Sequence, residues 1–248
     1  MLHEPLTEKL HQMKLNGMAV AYEEQRRDAA MVDLSFDDRF GLLVERQHLY
    51  REERALRTRI HFAGLRDSGA CIEDIDYRAK RNVSRSQVEV LIAPEWIAQG
   101  RNSLITGLTG VGKSYIAEAL ARQSCRNGFR TIFIYSPKLF RNLNAAELDG
   151  SLPKLLRKLA RVSLLVVDDF GLEKAGPPEY RLFLEVLQDR IGNASTLVTS
   201  QYDVSVWHQL IGDDTVADAI LDRLVHSAYR IELAGESMRK AKADTTTT

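Results

Sequence analysis

With 248 residues, the chain is long enough for one large α/β domain or for an ordinary domain with a helical extension. Its 34 basic residues balance its 34 acidic residues, so the overall charge selects no acidic partner and any nucleic-acid surface must be a local patch. The two cysteines lack paired or metal-ligand spacing, and the sequence has neither a membrane-length apolar stretch nor a signal peptide, so we expect a cytoplasmic protein without membrane contacts.

The first part of the chain, residues 1–66, is predicted to be a small all-helical domain. Helical patterns with almost no glycine or proline cover about 6–15, 18–30 and 42–60, and Asn16–Gly17 is expected to end or bend the first helix. Such a domain is too small to be an enzyme by itself. We expect it to bind DNA or a partner, or to associate with other copies.

Two basic clusters are candidates for contacting the phosphate backbone of duplex DNA. The first lies on the third predicted helix, where neighbouring glutamates also allow a solvated helix with ion pairs between residues four apart. The second has no acid between its members, although Asp74 and Asp76 precede it, and is the better candidate. The predicted DNA-binding residues are Arg51, Arg54, Arg57, Arg78, Lys80, Arg81 and Arg85.

A glycine-rich segment at Gly107–Ser114 fits G-x-x-x-x-G-K-[ST], with an apolar strand before it and a helical pattern after it. Its glycines let backbone N–H groups approach phosphate oxygens, and the positive end of the following helix faces the same anion. Lys113 can reach the β- and γ-phosphates and the Ser114 hydroxyl can ligate Mg²⁺. The alternative is a turn that matches by chance. The predicted nucleotide-binding residues are Gly107, Leu108, Thr109, Gly110, Val111, Gly112, Lys113 and Ser114.

Strands and helices alternate through the rest of the chain, which predicts a parallel sheet with right-handed crossovers. Residues 67–240 are predicted to form this domain, and 241–248 a disordered tail. The predicted strands after the glycine-rich segment are 131–135, 164–169, 195–201 and an edge strand at 229–233. The predicted helices between them are 138–148, 152–160, 177–191 and 216–225.

Two carboxylates, Asp168 and Asp169, end the strand at 164–169. A carboxylate at the carboxyl edge of a strand can lie beside the phosphate loop, so we predict that Asp168 holds Mg²⁺ directly or through water. Asp169 is one residue further on and points elsewhere, where it could act as the general base for an attacking water. The alternative is that both are ordinary turn acids after a buried strand.

Four segments in this order resemble the AAA+ ATPases of the IstB/DnaC-like group, most closely the IstB-like helpers of bacterial insertion-sequence transposition: the phosphate loop, Asp168–Gly171, Thr199–Gln201 and Leu221–Leu224. The resemblance covers about 72–240 and implies an AAA+ P-loop NTPase with a three-layer αβα parallel sheet. It also implies that Gly107–Ser114 is the Walker A loop and that the Asp168–Asp169 pair is Walker B.

Three further roles are implied by the resemblance: Gln201 as a sensor, Arg223 as an arginine finger reaching a neighbouring subunit's nucleotide, and Arg239 as a second sensor. From the residues alone, Gln201 could instead be an uninvolved strand-end amide, Arg223 could pair with Asp222 or Asp218, and Arg239 could be a surface residue.

Two positions depart from the usual pattern of the group. Most AAA+ proteins have glutamate where this chain has Asp169, and asparagine is more common than glutamine at Gln201. Because aspartate is one methylene shorter than glutamate, we expect water activation that is slow or that needs a shift induced by a partner. Slow turnover suits a regulatory ATPase.

The resemblance implies an ATP- and Mg²⁺-dependent ATPase that forms a homo-oligomer on duplex DNA through ATP-bridged interfaces. It would select target DNA and activate a partner transposase. Two alternatives share the phosphate loop: a DnaC-like replicative helicase loader and a P-loop kinase for a small molecule. The kinase is disfavoured because no dedicated lid segment is recognisable in the sequence.

Overall fold

The computed structural model describes residues 3–65, 69–78, 81–226 and 228–238. The chain divides into two compact units, the first up to Thr58 and the second from Arg59 onward. The predicted domain boundary at residue 66, the predicted tail, Lys80 and Arg239 all lie outside the described residues. None of the described helices is both long and apolar enough to cross a membrane.

The first unit is helical, as its sequence pattern indicates. It contains α1 (His3–Gln12), α2 (Asn16–Arg27) and most of α3 (Phe36–Ala63), with a 3₁₀ turn at Ala29–Asp33. The predicted end or bend of the first helix at Asn16–Gly17 lies just before these residues, because α1 ends at Gln12 and Asn16 begins α2. A Cβ atom on Gly17 would lie 2.6 Å from the Tyr50 Cβ atom, so glycine is required here for close packing of α2 on α3.

The second unit contains five strands and eight helices among its described residues. The strands are β1 (Ser103–Gly107), β2 (Thr131–Tyr135), β3 (Leu164–Phe170), β4 (Ser195–Ser200) and β5 (Tyr229–Leu233). The helices are α4 (Arg85–Ile92), α5 (Glu95–Ala98), α6 (Lys113–Arg126), α7 (Ser136–Leu148), α8 (Leu152–Ala160), α9 (Pro177–Gln188), α10 (Trp207–Ile211) and α11 (Asp214–Val225).

The strands form one parallel sheet in the order β2-β3-β4-β1-β5, which confirms the predicted parallel sheet and places β5 at its edge. Alternate residues of β3 enter two separate cores, Leu165 and Val167 on one face and Leu164 and Val166 on the other. Helices α7 to α11 cover the first face, and α4 to α6 cover the second. The result is a three-layer αβα domain.

The sheet order brings three strand ends together. Strands β3, β4 and β1 are neighbours, so their carboxyl ends, with the loops that follow them, lie side by side at one edge of the sheet. Ligands of open α/β sheets bind at this edge. The glycine-rich segment, the Asp168–Asp169 pair and Gln201 all follow or end these three strands.

A buried arginine fixes the opposite edge. The Arg190 guanidinium donates to the backbone carbonyls of Leu159 and Val162, and to that of Ser195 at the start of β4. Burial lowers the pKa of Arg190 to about 10, so it remains a cation at neutral pH. This cation therefore holds the end of α8 and the turn before β3 against β4.

Candidate nucleotide-binding site

The phosphate loop has the backbone conformation that its glycines allow. Gly107, Gly110 and Gly112 all have positive φ angles, of 140°, 88° and 101°. A Cβ atom on Gly107 would lie 2.2 Å from the Leu233 carbonyl oxygen on the neighbouring strand β5. Only glycine fits there, because the obstacle is backbone that cannot turn away.

The first residues of α6 present groups that suit an anion. Lys113 is buried, and its Nζ donates to the Leu108 carbonyl oxygen at 2.9 Å, across the loop. No described side chain caps the start of α6, and its first turn contains no acidic residue. The amide groups of this turn therefore suit a phosphate. Ser114, the second residue of the helix, is half-buried.

Thr199 organises the two carboxylates from the adjacent strand. Its hydroxyl donates to Oδ1 of Asp168 at 2.7 Å and accepts from the backbone N–H of Asp169 at 2.9 Å. Asp168 is fully buried, and its Oδ2 atom has no hydrogen-bond partner among the described residues. A buried carboxylate oxygen without a partner is costly, and a bound cation would satisfy it. Asp168 is therefore suited to hold a divalent metal.

Asp169 is turned away from the regular strand. The register of β3 against β4 shifts between Val167 and Phe170, and Asp169 has a positive φ of 56°, which is uncommon outside glycine. Such bulges re-aim a side chain beside an active site. The two neighbouring carboxylates therefore occupy different backbone environments, which fits different chemical roles.

Gln201 contacts the phosphate loop directly. Its Oε1 accepts a hydrogen bond from the Thr109 hydroxyl at 3.1 Å, which joins the end of β4 to the loop after β1. This contact argues against an uninvolved strand-end amide. The structure thus brings Gln201 and the phosphate loop together at the carboxyl edge of the sheet, where Asp168 and Asp169 also lie.

Arg223 makes contacts within its own chain. Its guanidinium donates to the Gln188 Oε1 atom at 2.9 and 2.6 Å and to the Ala219 carbonyl oxygen at 2.7 Å, which ties α11 to α9. The predicted alternative of an ion pair with Asp222 or Asp218 is not what the structure has. The predicted contact with a neighbouring subunit's nucleotide stays a prediction.

Arg81 requires a correction. It was predicted to contact DNA, yet only 5% of it is exposed, and its guanidinium donates to the Val111 carbonyl oxygen at 3.2 Å and to the Asp76 carbonyl oxygen. The side chain therefore supports the phosphate loop from behind and is not available to a DNA backbone. The basic cluster in the sequence concealed this role, because Arg81 and the loop are about thirty residues apart.

The segment after β5 also packs on the phosphate loop, which the sequence did not indicate. The Met238 N–H donates to the Gly110 carbonyl oxygen at 2.9 Å, and a Cβ atom on Gly110 would lie 2.3 Å from the Ser237 hydroxyl. The Ala234 N–H donates to the Arg81 carbonyl oxygen at 2.9 Å. Two segments distant in sequence therefore brace the loop.

The other predicted DNA-binding residues are exposed where they are described. On α3, Arg57 pairs with Glu53 four residues earlier, as expected for a solvated helix. Arg85 on α4 is 3.4 Å from Glu89, again four residues away. Their contact with DNA stays a prediction, as it does for three further residues, Arg51, Arg54 and Arg78.

The chain is similar to a known protein family along most of its length. A family model described as IstB-like ATP binding protein matches residues 8–246. An insertion sequence ATP-binding protein of Sinorhizobium fredii, y4pL, is 45% identical over 240 residues, which are 97% of this chain and 98% of that protein. An ATP-binding protein of insertion sequence IS5376 from Geobacillus stearothermophilus is 27% identical over 238 residues, 96% of this chain and 94% of that protein.

Solved structures agree on the fold. DnaI matches with a TM-score of 0.57 at 26% identity over 66% of this chain and 91% of that chain. The DnaC helicase loader matches with a TM-score of 0.54 at 21% identity, over 68% of this chain and 98% of that chain. DnaA bound to AMPPCP and single-stranded DNA matches with a TM-score of 0.57 at 14% identity, over 73% of this chain and 56% of that chain. The predicted AAA+ P-loop fold class is confirmed.

Proposed function

Because the chain belongs to the family of IstB-like ATP-binding proteins, we propose that it is an ATPase that assists the transposition of an insertion sequence. It hydrolyses ATP with Mg²⁺, assembles on duplex DNA, selects the target and activates a transposase. The single observation that carries this proposal is the convergence on one sheet edge of the phosphate loop, Gln201 and the carboxylates set by Thr199.

The phosphate loop supplies the binding energy for the triphosphate. Backbone amides of Gly107–Ser114 and the start of α6 surround the β-phosphate, and the Lys113 ammonium exchanges its contact with Leu108 for the β- and γ-phosphates. Arg81, Ser237 and Met238 keep the loop in shape from outside, because they pack on Gly110–Gly112.

Magnesium fits the acidic side of this site. Asp168 would hold the ion through its unpartnered Oδ2 atom, directly or through water, and the Ser114 hydroxyl would be a second ligand. When bound, the ion neutralises charge on the β- and γ-phosphate oxygens. Thr199 orients the Asp168 carboxyl group, because its hydroxyl donates to Oδ1.

In this proposal, Asp169 and Gln201 act on the attacking water. Asp169 accepts its proton as a general base, and Gln201, held by Thr109 beside the loop, orients it toward the γ-phosphate. The short aspartate side chain makes this step slow, so the ATP-bound state lasts long enough to act as a signal.

Assembly uses both units of the chain. Arg223 reaches the nucleotide of a neighbouring copy once it leaves Gln188, and its charge completes that site. The first unit exposes an unusual number of large apolar residues, which favours association with other protein surfaces. They are Leu6, Met13, Val20, Leu34, Phe36, Phe40, Leu42, Val44 and Leu49.

The ATP dependence of assembly tests this function. Light scattering of the protein with a duplex should give particles of many copies in ATP and much smaller particles in ADP. Particle size that is indifferent to the γ-phosphate would contradict ATP-bridged assembly.

We expect Arg223→Ala to hydrolyse ATP at least tenfold more slowly, while the nucleotide affinity of the isolated chain is unchanged.

The control for Arg223 is Gln188→Ala, which removes the contact within the chain and keeps the guanidinium. It should hydrolyse ATP normally. Equal losses in both variants would assign Arg223 a structural role.

Capture of a replicative helicase with a preference for single-stranded DNA would favour helicase loading, which the 21% likeness to the DnaC loader does not support by itself.

Thr199→Val should weaken the metal site without removing the nucleotide. The change keeps the side-chain shape but leaves the Asp168 Oδ1 atom and the Asp169 N–H without their hydroxyl partner. Because loss of such supporting contacts costs roughly 10–100-fold in metal affinity or activity, we expect a rise of that size in the Mg²⁺ concentration needed for half-maximal hydrolysis. Thr199→Ser keeps the hydroxyl and should therefore require the same Mg²⁺ concentration as the unchanged protein. An unchanged Mg²⁺ dependence would show that Thr199 does not position Asp168.

A further inference from the structure

The second unit contains a basic groove, the α8 groove, that no predicted site includes. It has a volume of about 820 Å³ and lies between α7 and α8, next to the start of β2. Five cations line it: Arg130, Lys154, Arg157, Lys158 and Arg161. All five are exposed.

The sequence of α8 places these cations on one side. Lys154, Lys158 and Arg161 follow each other at spacings of four and three residues, which is one face of a helix. Leucines on the other side, among them the buried Leu159, pack into the core beneath. The helix is therefore strongly amphipathic, and its charged face is directed away from the sheet.

The charge of the groove is uncompensated among the described residues. None of the five cations has a carboxylate within 4.0 Å there, whereas Arg46 and Arg57 on α3 pair with Glu24 and Glu53. The one acidic lining residue, Asp149, accepts from the Ser151 N–H at 2.8 Å. Hydrogen bonds from the Ser151 side chain and backbone lower the pKa of Asp149. The groove thus carries a large excess of positive charge.

Two of the cations are held in place by an aromatic ring. The Arg130 guanidinium lies 4.8 Å and the Lys158 ammonium 5.9 Å from the centroid of the Phe62 ring. Arg190 fixes the end of α8 from below through the Leu159 and Val162 carbonyls. The cations are therefore partly preorganised, which lowers the entropy lost when an anion binds.

The α8 groove lies far from the phosphate loop in the fold. Arg130 directly precedes β2 and Arg161 shortly precedes β3, so the groove is at the amino edge of the parallel sheet. The phosphate loop follows β1 at the carboxyl edge. A ligand in the groove and a nucleotide can therefore bind together without competing.

We propose that the α8 groove binds the phosphate backbone of duplex DNA, an inference that rests on the proposed function. The cations from Lys154 to Arg161 extend over about 10 Å of helix, and each DNA strand offers a charge every 3.4 Å along its axis. Two of the cations already lie over the Phe62 ring, and contacts of cations with phosphates carry no sequence information. Recognition is therefore independent of sequence and strongly dependent on salt.

The double variant Lys154→Gln/Lys158→Gln tests the proposal by titration of a labelled duplex in ATP over a range of salt concentrations. The slope of log K against log salt should fall in magnitude by about 2, equally for unrelated duplexes. The matched control is Arg51→Gln/Arg54→Gln on α3, which removes two charges from the surface that the sequence suggested. ATP affinity, measured on the same samples, should be unchanged in the groove variant.

Three outcomes would overturn the proposal. An unchanged slope in the groove variant, with a reduced slope in the α3 control, would move DNA binding to α3 and leave the proposed function intact. Normal DNA binding with lost affinity for polyglutamate would assign the groove to an acidic protein segment. Failure of the unchanged chain to bind any duplex in ATP at low salt would overturn both this proposal and the proposed function.

Discussion

Lys113→Ala is expected to abolish ATP binding at concentrations that saturate the unchanged protein, and DNA assembly with it. The ammonium is buried at the start of α6, so no other cation can move into its place without repacking the loop. Each hydrogen bond to a charged group contributes about 1.5–3 kcal/mol, and two phosphates would lose such a bond. We therefore expect an affinity loss of roughly a hundredfold or more, measured by fluorescent nucleotide titration.

The control for Lys113 is Lys138→Ala, an exposed lysine of the same unit. It should bind nucleotide normally. Thermal unfolding without nucleotide should show whether Lys113→Ala still folds, because the Leu108 carbonyl also loses its partner. A folded variant with normal ATP affinity would mean that the loop amides alone hold the triphosphate. A variant that loses ATP but still assembles on DNA would separate the two events that we propose are linked.

Local pattern was sufficient for most elements of the fold. The run of apolar residues ending in Asp168 identified β3, and Pro177–Pro178 marked the start of α9, because prolines fit the first turn of a helix. The apolar spacing at 86–93 fits a short helix and a strand equally, so the sequence alone does not place this segment. In the structure it is helical, and a capping box between Ser84 and Gln87 explains why.

The support of the candidate site could not be predicted in the same way, because it depends on strand order. Thr199 meets Asp168 only because β4 lies beside β3, and Gln201 meets Thr109 only because β4 also lies beside β1. Alternation of strands and helices predicts that strands are parallel but not which are neighbours. A threonine near the end of a buried strand carries no signal of its own.

Arg81 and the α8 groove show that the sequence pattern of basic residues does not predict which cations are exposed and unpaired in the fold. Runs of basic residues drew attention to the third helix and to the cluster at 78–85, yet Arg81 is buried and Arg57 is paired. On α8 the cations are separated by leucines and resemble an ordinary amphipathic surface in the sequence. Only the fold adds Arg130 and Phe62 to them.

The variants Asp168→Asn and Asp169→Asn should differ in how strongly they lose ATP hydrolysis. Asp168→Asn removes the carboxylate that we propose holds the metal, so hydrolysis should fall below detection at ordinary Mg²⁺ concentrations. Asp169→Asn should keep ATP binding and slow hydrolysis by about 10²–10⁴-fold, the contribution of a general base. Asparagine is the suitable replacement, because it tolerates the positive φ at position 169 as well as aspartate does.

The difference extends to assembly. With hydrolysis blocked but ATP still bound, Asp169→Asn should form DNA complexes that persist longer than those of the unchanged chain, and dissociation kinetics after dilution would measure this. Asp222→Asn on the exposed side of α11 is the control and should behave normally. Loss of ATP binding in Asp169→Asn would refute the division of labour between the carboxylates, since both would then act on the bound metal and nucleotide. Fast hydrolysis in that variant would rule out Asp169 as the general base, because an asparagine amide cannot accept the proton of the attacking water.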